Sequence, residues 1–361
     1  MSILSRRSFL ATGAVAASAT LHLSAAPPAK PSSDDKAAFF LIGDTHFLAD
    51  KDQPEKLAAA SQGVTDRLID TLNKLPGTDL PADLGGGKVL SPHGLIHAGD
   101  VIDSGDKPSP LHLQMQRTEW KAFEESFGLT GSDARLKMPV YEIHGNHDAP
   151  QGTGHAIDRI KARNKSRPGL VNLSPNGLHY SWNWGPIHFV NLGIVVGSDP
   201  EVKRRRRYAP LDSQSFLVDD LAKHVAGKQR PVIITHHIDV ARYSVACDKE
   251  AEPGSREWDP CDVAGYHGVL HQHPVLGVLY GHTHVRNIFR WSGEKTPVKE
   301  GGIPVFNTDN SAHFNSQTQA LLYCEATPKE LVVREFATAD AWQTGKWTPQ
   351  IWRMACSVAM P

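Results

Sequence analysis

The chain has 361 residues, of which 38 are Lys or Arg and 39 are Asp or Glu, giving a formal net charge of -1. So even a balance excludes wholesale electrostatic attachment to nucleic acid or to an anionic membrane, and any preference for anions must be local. The 19 histidines direct attention to metal chemistry, because imidazole is both a common transition-metal ligand and a proton donor near neutral pH.

The length admits either one α/β domain with insertions or two domains. The chain begins with Ser5-Arg6-Arg7-Ser8-Phe9-Leu10, a mild Ala-rich stretch over 11–23, and Ala25-Ala26-Pro27-Pro28. This order resembles a twin-arginine export signal, so residues 1–30 are set apart from the fold as signal peptide and linker, with cleavage near Ala19 or Ala25. The apolar run is short and interrupted by Thr20 and His22, which falls below what a membrane span requires. Export implies a periplasmic or secreted protein, with the twin-arginine translocation machinery as a partner.

Downstream, β-prone apolar runs at Ala37 to Ile42, Gly94 to His97, Val140 to Ile143, Pro231 to Thr235 and Val275 to Tyr280 read as buried strands. Helical spacing falls between them, at Glu55 to Leu75, Leu111 to Phe127, Asp158 to Ala162 and Ser213 to Val225. The alternation predicts a layered α/β fold. Leu178 to Val195 and Ile303 to Phe336 hold several strands and hardly any helix, which predicts a second sheet packed on the first. Residues 75–92 and 246–260 read as rim loops, and no Ser/Gly-rich linker divides the chain. Of the four cysteines, Cys247 and Cys261 flank the second loop and are the leading candidates for a disulfide after export. Buried free thiols are the alternative.

Five of the strands end in metal-type ligands: Gly43-Asp44-Thr45-His46, Gly99-Asp100-Val101-Ile102-Asp103, Gly145-Asn146-His147-Asp148, Thr235-His236-His237 and Gly281-His282-Thr283-His284. In open α/β sheets, ligands gather outside the carboxyl ends of the strands, so residues distant in sequence can meet there. Asp44 and His46, like His282 and His284, are two residues apart, and on an extended segment such pairs point the same way.

The order G-D-x-H, G-D, G-N-H-D, H, G-H-x-H, spanning Phe39 to Val285, resembles the calcineurin-like metallophosphoesterases. That resemblance implies a two-sheet β-sandwich flanked by helices, in four layers α/β/β/α, with residues 37–340 as the catalytic domain and 341–361 as a C-terminal extension. It implies that Asp44, His46 and His284 hold one metal ion, that Asn146, His236 and His282 hold a second, and that Asp100 bridges them. A pair of cations about 3.5–4 Å apart activates a shared water as hydroxide and neutralises the phosphoryl oxygens. The resemblance further implies that His147 protonates the leaving oxygen with Asp103 as its partner, while Asp148 supports the loop.

Other histidines read differently. His97 and His144 lie within or beside strand-like runs and are expected in the core. His237 is given no metal, since alternation points it away from His236; it stays a candidate substrate contact, with Arg204 and Arg205 of the basic run 203–207. For His267, His271, His273 and His313, cleft and surface stay open.

Protein serine/threonine phosphatases of this superfamily read G-D-x-V-D-R-G and G-N-H-E, whereas Ser104 and Asp148 stand here, which argues against that subclass. Purple acid phosphatases carry a tyrosine ligand where this chain has Phe47, which cannot coordinate metal. The expected cofactors are two divalent or mixed-valence transition metal ions, with Fe, Mn, Zn and Ni all compatible. The expected substrate is a small-molecule phosphate ester, with a phosphatase preferred. Alternatives are a phosphodiesterase or phospholipid-headgroup hydrolase, and a non-catalytic metal-binding scaffold.

Overall fold

The computed structural model describes residues 35–198, 202, 204–228, 230–243, 246–247 and 257–357. The expected signal peptide over 1–30 and Lys203 of the basic run lie outside these residues. In the first sheet, β1 (Ala37–Ile42), β2 (Gly94–His97) and β3 (Val140–Glu142) run parallel. On the other side of β1, β11 (Gln319–Ala326), β12 (Glu330–Thr338) and β13 (Lys346–Ala355) extend the sheet antiparallel, in the order β13-β12-β11-β1-β2-β3.

The second sheet joins β4 (Leu170–Leu173), β5 (Tyr180–Trp184), β6 (Ile187–Asn191), β7 (Val232–Thr235), β8 (Val275–Tyr280), β9 (Asn287–Trp291) and β10 (Ile303–Asn307) in the order β4-β5-β6-β7-β8-β10-β9. Its centre, β6, β7, β8 and β10, is parallel. Three helices, α1 (Ala59–Lys74), α2 (Pro110–Phe127) and α3 (His155–Ser166), cover the first sheet, while α4 (Ser213–His224) and α5 (Pro260–Leu270) cover the second. The result is the expected two-sheet sandwich flanked by helices.

The strand sequences explain the layering. In β1, Ala38, Phe40 and Ile42 pack toward the helices of the first layer, and Ala37, Phe39 and Leu41 pack between the sheets. Both faces are therefore buried, which is why this strand reads as an unbroken apolar run rather than an alternation. The inter-sheet layer is aromatic: Tyr141 and Trp182 stack at 4.2 Å, and Trp182 and Phe189 at 5.3 Å. Helix α2 begins at Ser109, whose side chain accepts from the His112 amide, has Pro110 at its first position and ends at Gly128, a cap pattern that stabilises the start by about 1 kcal/mol.

One feature differs from expectation. The strands over 303–336 do not share one sheet: β10 joins the second, while β11 and β12 join the first. The segment after 340 adds β13 to the edge of the first sheet, paired with β12 from Glu330↔Ala355 to Ala337↔Lys346. Cys247 and Cys261 form the expected disulfide, with Cα atoms 4.5 Å apart, and Cys324 is buried between the sheets. Among the described residues, no helix is long and apolar enough to cross a membrane.

Candidate metal centre

The loops that follow β1, β2 and β3 in one sheet and β7 and β8 in the other meet across the carboxyl ends of their strands. Backbone hydrogen bonds stitch them together: Asp44 N–H donates to Gly99 O at 3.0 Å, His46 N–H to Asp100 O at 3.1 Å, and His236 N–H to Leu279 O at 3.1 Å. The approach is close. A Cβ on Gly99, whose φ is +94°, would meet His237 Nδ1 at 2.7 Å, and one on Gly145 would overlap Asp100. Five of the expected ligands, Asp44, His46, Asp100, His282 and His284, adopt positive φ between 43° and 74°. Left-handed backbone costs a non-glycine residue on the order of 1 kcal/mol or more, and such strain clusters at functional sites.

Two carboxylates lock this strained backbone. Asp148 accepts from the amides of Gly145 at 2.7 Å, Ile102 at 2.9 Å and Val101 at 3.1 Å, tying the second and third motif loops together. Glu119 of α2, fully buried, accepts from Ala49 N at 3.0 Å, Ser104 N at 3.1 Å and Ser104 Oγ at 2.8 Å. Ser104 is thus engaged with a helix. Phe47 packs on Phe123 and Phe127 and offers the site no ligand.

Three groups of ligand atoms gather here, each within 4.8 Å: Asp44 with His46 and His284, Asp100 with His237 and His282, and His46 with Asp103 and His147. In the first, His46 Nε2 and His284 Nε2 are 3.2 Å apart, and His284 Nε2 lies 3.5 Å from Asp44 Oδ1. In the second, His237 Nδ1–H donates to Ala98 O at 2.7 Å, which leaves Nε2 facing Asn146 Oδ1 and Asp100 Oδ2, both at 3.1 Å. Three ligand atoms thus converge on one point: in the protonated ring Nε2–H is shared by the two oxygens, and a cation can take the place of that proton. Burial opposes ionisation of Asp100, yet His237 and His46 hold its carboxyl well below the usual range; Asp44 is likewise lowered beside His284. Burial also opposes charge on His237, but Asp100 outweighs it and lifts the imidazole to about 9. Positive charge is therefore favoured at this point, and the donor set of imidazoles, carboxylates and an amide fits transition metal ions.

His236, expected as a ligand, is in none of these groups. Its ring lies in the helix-side core against Trp258, Tyr266 and Tyr280, fully buried, with neither ring nitrogen hydrogen-bonded. Strand parity gives the physical reason: Val232 and Ile234 face α4 and α5, and His236 continues that face, while Ile233 faces the other sheet and His237 continues toward the site.

His147 donates its amide to Asp100 Oδ1 at 2.7 Å, and its ring meets that of His46 edge to face at 4.7 Å. Burial disfavours its charged form, but Asp100 and the Asp103 carbonyl outweigh this and raise its basicity. The partner differs from expectation, since His147 Nδ1 faces the main-chain O of Asp103 at 3.3 Å. The Asp103 carboxylate turns instead to Lys107 Nζ at 2.8 Å and to His46 Nδ1 at 3.4 Å. It therefore sits behind an expected ligand rather than behind the expected acid.

His97 and His144 are core residues, 0% and 1% exposed, and burial lowers them to about 4 and about 3. Arg204 is engaged with Asp259, at 2.7 and 2.9 Å, and Arg206 with Asp262, at 2.6 and 2.9 Å, so these two pin the basic run to the start of α5. Arg205 is exposed and Arg207 lies 3.9 Å from Glu257. His267 packs on Trp291 beside His271, outside the ligand groups. His313 does reach the site, with its ring 4.7 Å from His46 and 4.9 Å from His284. Sequence reasoning missed Glu119 and Glu257. The first is a lone acid on the buried face of α2, a signal that was present; the second sits 3.0 Å from His282 Nε2 and had none.

The sequence has no significant match among curated proteins. Among solved structures it is similar to a dimetal phosphatase from Danio rerio, at 14% identity over 88% of this chain and 98% of that one, with a TM-score of 0.48. It is also similar to PhoD, at 12% identity over 89% and 72%, TM-score 0.46, and to GAP50, the anchor in the inner membrane complex of Plasmodium, at 10% identity over 89% and 89%, TM-score 0.46. The sequence profile of the calcineurin-like phosphoesterases matches residues 37–286, well over half of the chain, and the chain therefore belongs to the calcineurin-like phosphoesterase family.

Proposed function

We propose that this protein is a binuclear metal-dependent phosphatase, exported from the cytoplasm, that hydrolyses small phosphate esters. The observation that carries the reading is the convergence of His237 Nε2, Asn146 Oδ1 and Asp100 Oδ2 beside the Asp44, His46 and His284 group. Asp44, His46 and His284 would hold one ion, Asn146, His237 and His282 the other, and Asp100 both. Bound there, two transition metal ions supply Lewis acidity and an activated water at neutral pH.

The chain's own residues do the rest. His147, beside Asp100, carries a proton toward the leaving oxygen, and Asp100 and Asp103 O favour its charged state. The Asp103 carboxylate steadies the His46 ring, and Lys107 holds Asp103 from behind. His313 stands beside the first ion position, its ring 4.7 Å from that of His46, and Arg207 and Arg242 gather around Glu257 behind His282. Export is supported by the Arg6-Arg7 motif before its apolar run and by the Cys247–Cys261 disulfide, a bond that persists in oxidising compartments.

The test is hydrolysis of a chromogenic phosphomonoester and its diester by purified protein loaded with manganese or zinc, with metal content measured in parallel. Faster monoester turnover with two ions per chain is expected. Preferential diester cleavage makes the protein a phosphodiesterase, and two bound ions with no hydrolysis of either ester make it a scaffold.

A further inference from the structure

The segment between Cys247 and Cys261 carries a buried acid that the family motifs do not include. Glu257 has its side chain 6% exposed, and its Oε1 lies 3.0 Å from His282 Nε2. A carboxylate so placed accepts, so Nε2 carries the hydrogen and Nδ1 is the only His282 nitrogen with a lone pair to offer. We infer that Glu257 is a positioning residue for the second metal position, fixing the tautomer and ring orientation of His282 so that Nδ1 serves the group formed with Asp100 and His237. This rests on the binuclear reading proposed above and deepens it.

Glu257 is itself held from several sides. Arg242 pairs with both carboxylate oxygens, through Nε and through Nη2 at 3.2 Å, and the amides of Glu257 and Trp258 both donate to Arg242 O at 3.1 Å. Trp258, 2% exposed, donates from its indole to Ile238 O at 3.3 Å. Four residues beyond Glu257, Cys261 anchors the chain through its disulfide to Cys247. Arg204 and Arg206 clamp the neighbouring Asp259 and Asp262. The basic run thus acts on the site through this loop, by bracing the acid that steadies His282. Fixing the acid in advance removes the entropy a mobile side chain would lose on meeting the imidazole.

The test compares wild type, Glu257→Ala, Glu257→Gln and Arg242→Met for manganese stoichiometry and affinity by calorimetry, with circular dichroism and melting temperature as folding readouts. Wild type is expected to bind two ions. Glu257→Ala should weaken one of the two sites by about 10–100-fold and leave the other unchanged, the range typical of lost partners behind metal ligands. Activity of that variant should recover at high manganese. Glu257→Gln, whose amide oxygen still accepts from Nε2–H, should restore much of the lost affinity, and Arg242→Met should fall between it and wild type. Two unchanged sites in Glu257→Ala overturn the inference, as does an equal weakening of both sites with a lowered melting temperature in Ala and Gln variants alike. A wild type that binds no metal overturns the binuclear reading and this inference with it.

Discussion

His237 and Asp100 face each other across 3.1 Å although β7 and β2, the strands that deliver them, belong to opposite sheets. The centre therefore exists only where the two sheets close on each other, and its neighbour His236 is the control that the fold itself supplies. His237→Ala should abolish turnover and lower metal content. His236→Phe should leave both unchanged and keep or raise the melting temperature, because it replaces an unbonded imidazole among Trp258, Tyr266 and Tyr280; an unsatisfied buried polar group costs about 1–3 kcal/mol. Metal loss from the His236 variant with full retention in the His237 variant would reverse the assignment.

Asp100 faces a histidine of each proposed ion position, 3.6 Å from His46 Nε2 and 3.1 Å from His237 Nε2. Asp100→Asn keeps its shape and removes its charge. Both ions should be lost or weakened together, with turnover reduced by at least about 100-fold. A variant that retains two ions and full activity removes Asp100 from the bridging role.

Much of this was legible in the sequence, for a physical reason: parallel strands buried on both faces are apolar runs, and their ends must turn closely, so glycine followed by a ligand marks the site. What was illegible depends on knowing which face of a strand looks inward. His236 and His237 are adjacent, and only the packing of Ile233 between the sheets and Ile234 under the helices decides between them. Helix α5 was missed because the loop reading ran to Pro260 and Gly265 and Gly268 interrupt the helical signal that follows. Glu257 was missed because its contact with His282 spans 25 residues and depends on a disulfide-closed loop. Asp103 was expected to back His147, but its side chain turns toward Lys107, four residues on.

His147 stands at the edge of the ligand set, its ring nitrogen within 4.8 Å of ligand atoms of His46 and Asp103, and substitution tells proton transfer from metal holding. Its amide, not its ring, meets Asp100, so removing the ring leaves the ligand loop tied. His147→Ala should keep two ions and lose about 100-fold or more on esters with alkyl leaving groups, and much less on a nitrophenyl ester whose leaving oxygen needs no proton. An equal loss on both ester types would assign His147 to charge stabilisation instead.

Acid should weaken the fold through Glu142. It is fully buried at the end of β3, its Oε1 2.7 Å from both Arg163 Nε and Arg167 Nη2. Burial opposes ionisation, but the two guanidiniums outweigh it and hold the carboxyl at about 2 against an ordinary 4.5. A folded-state value below the unfolded one means that this stabilisation is fully present above the ordinary value and fades as pH falls toward 2. The displacement corresponds to roughly 3 kcal/mol. Denaturant unfolding of wild type and Glu142→Gln should therefore differ by about that much near neutral pH and converge as the carboxylate takes up its proton. A difference that stays constant down to acid would show that packing, rather than the charge of Glu142, sets the contribution of this residue.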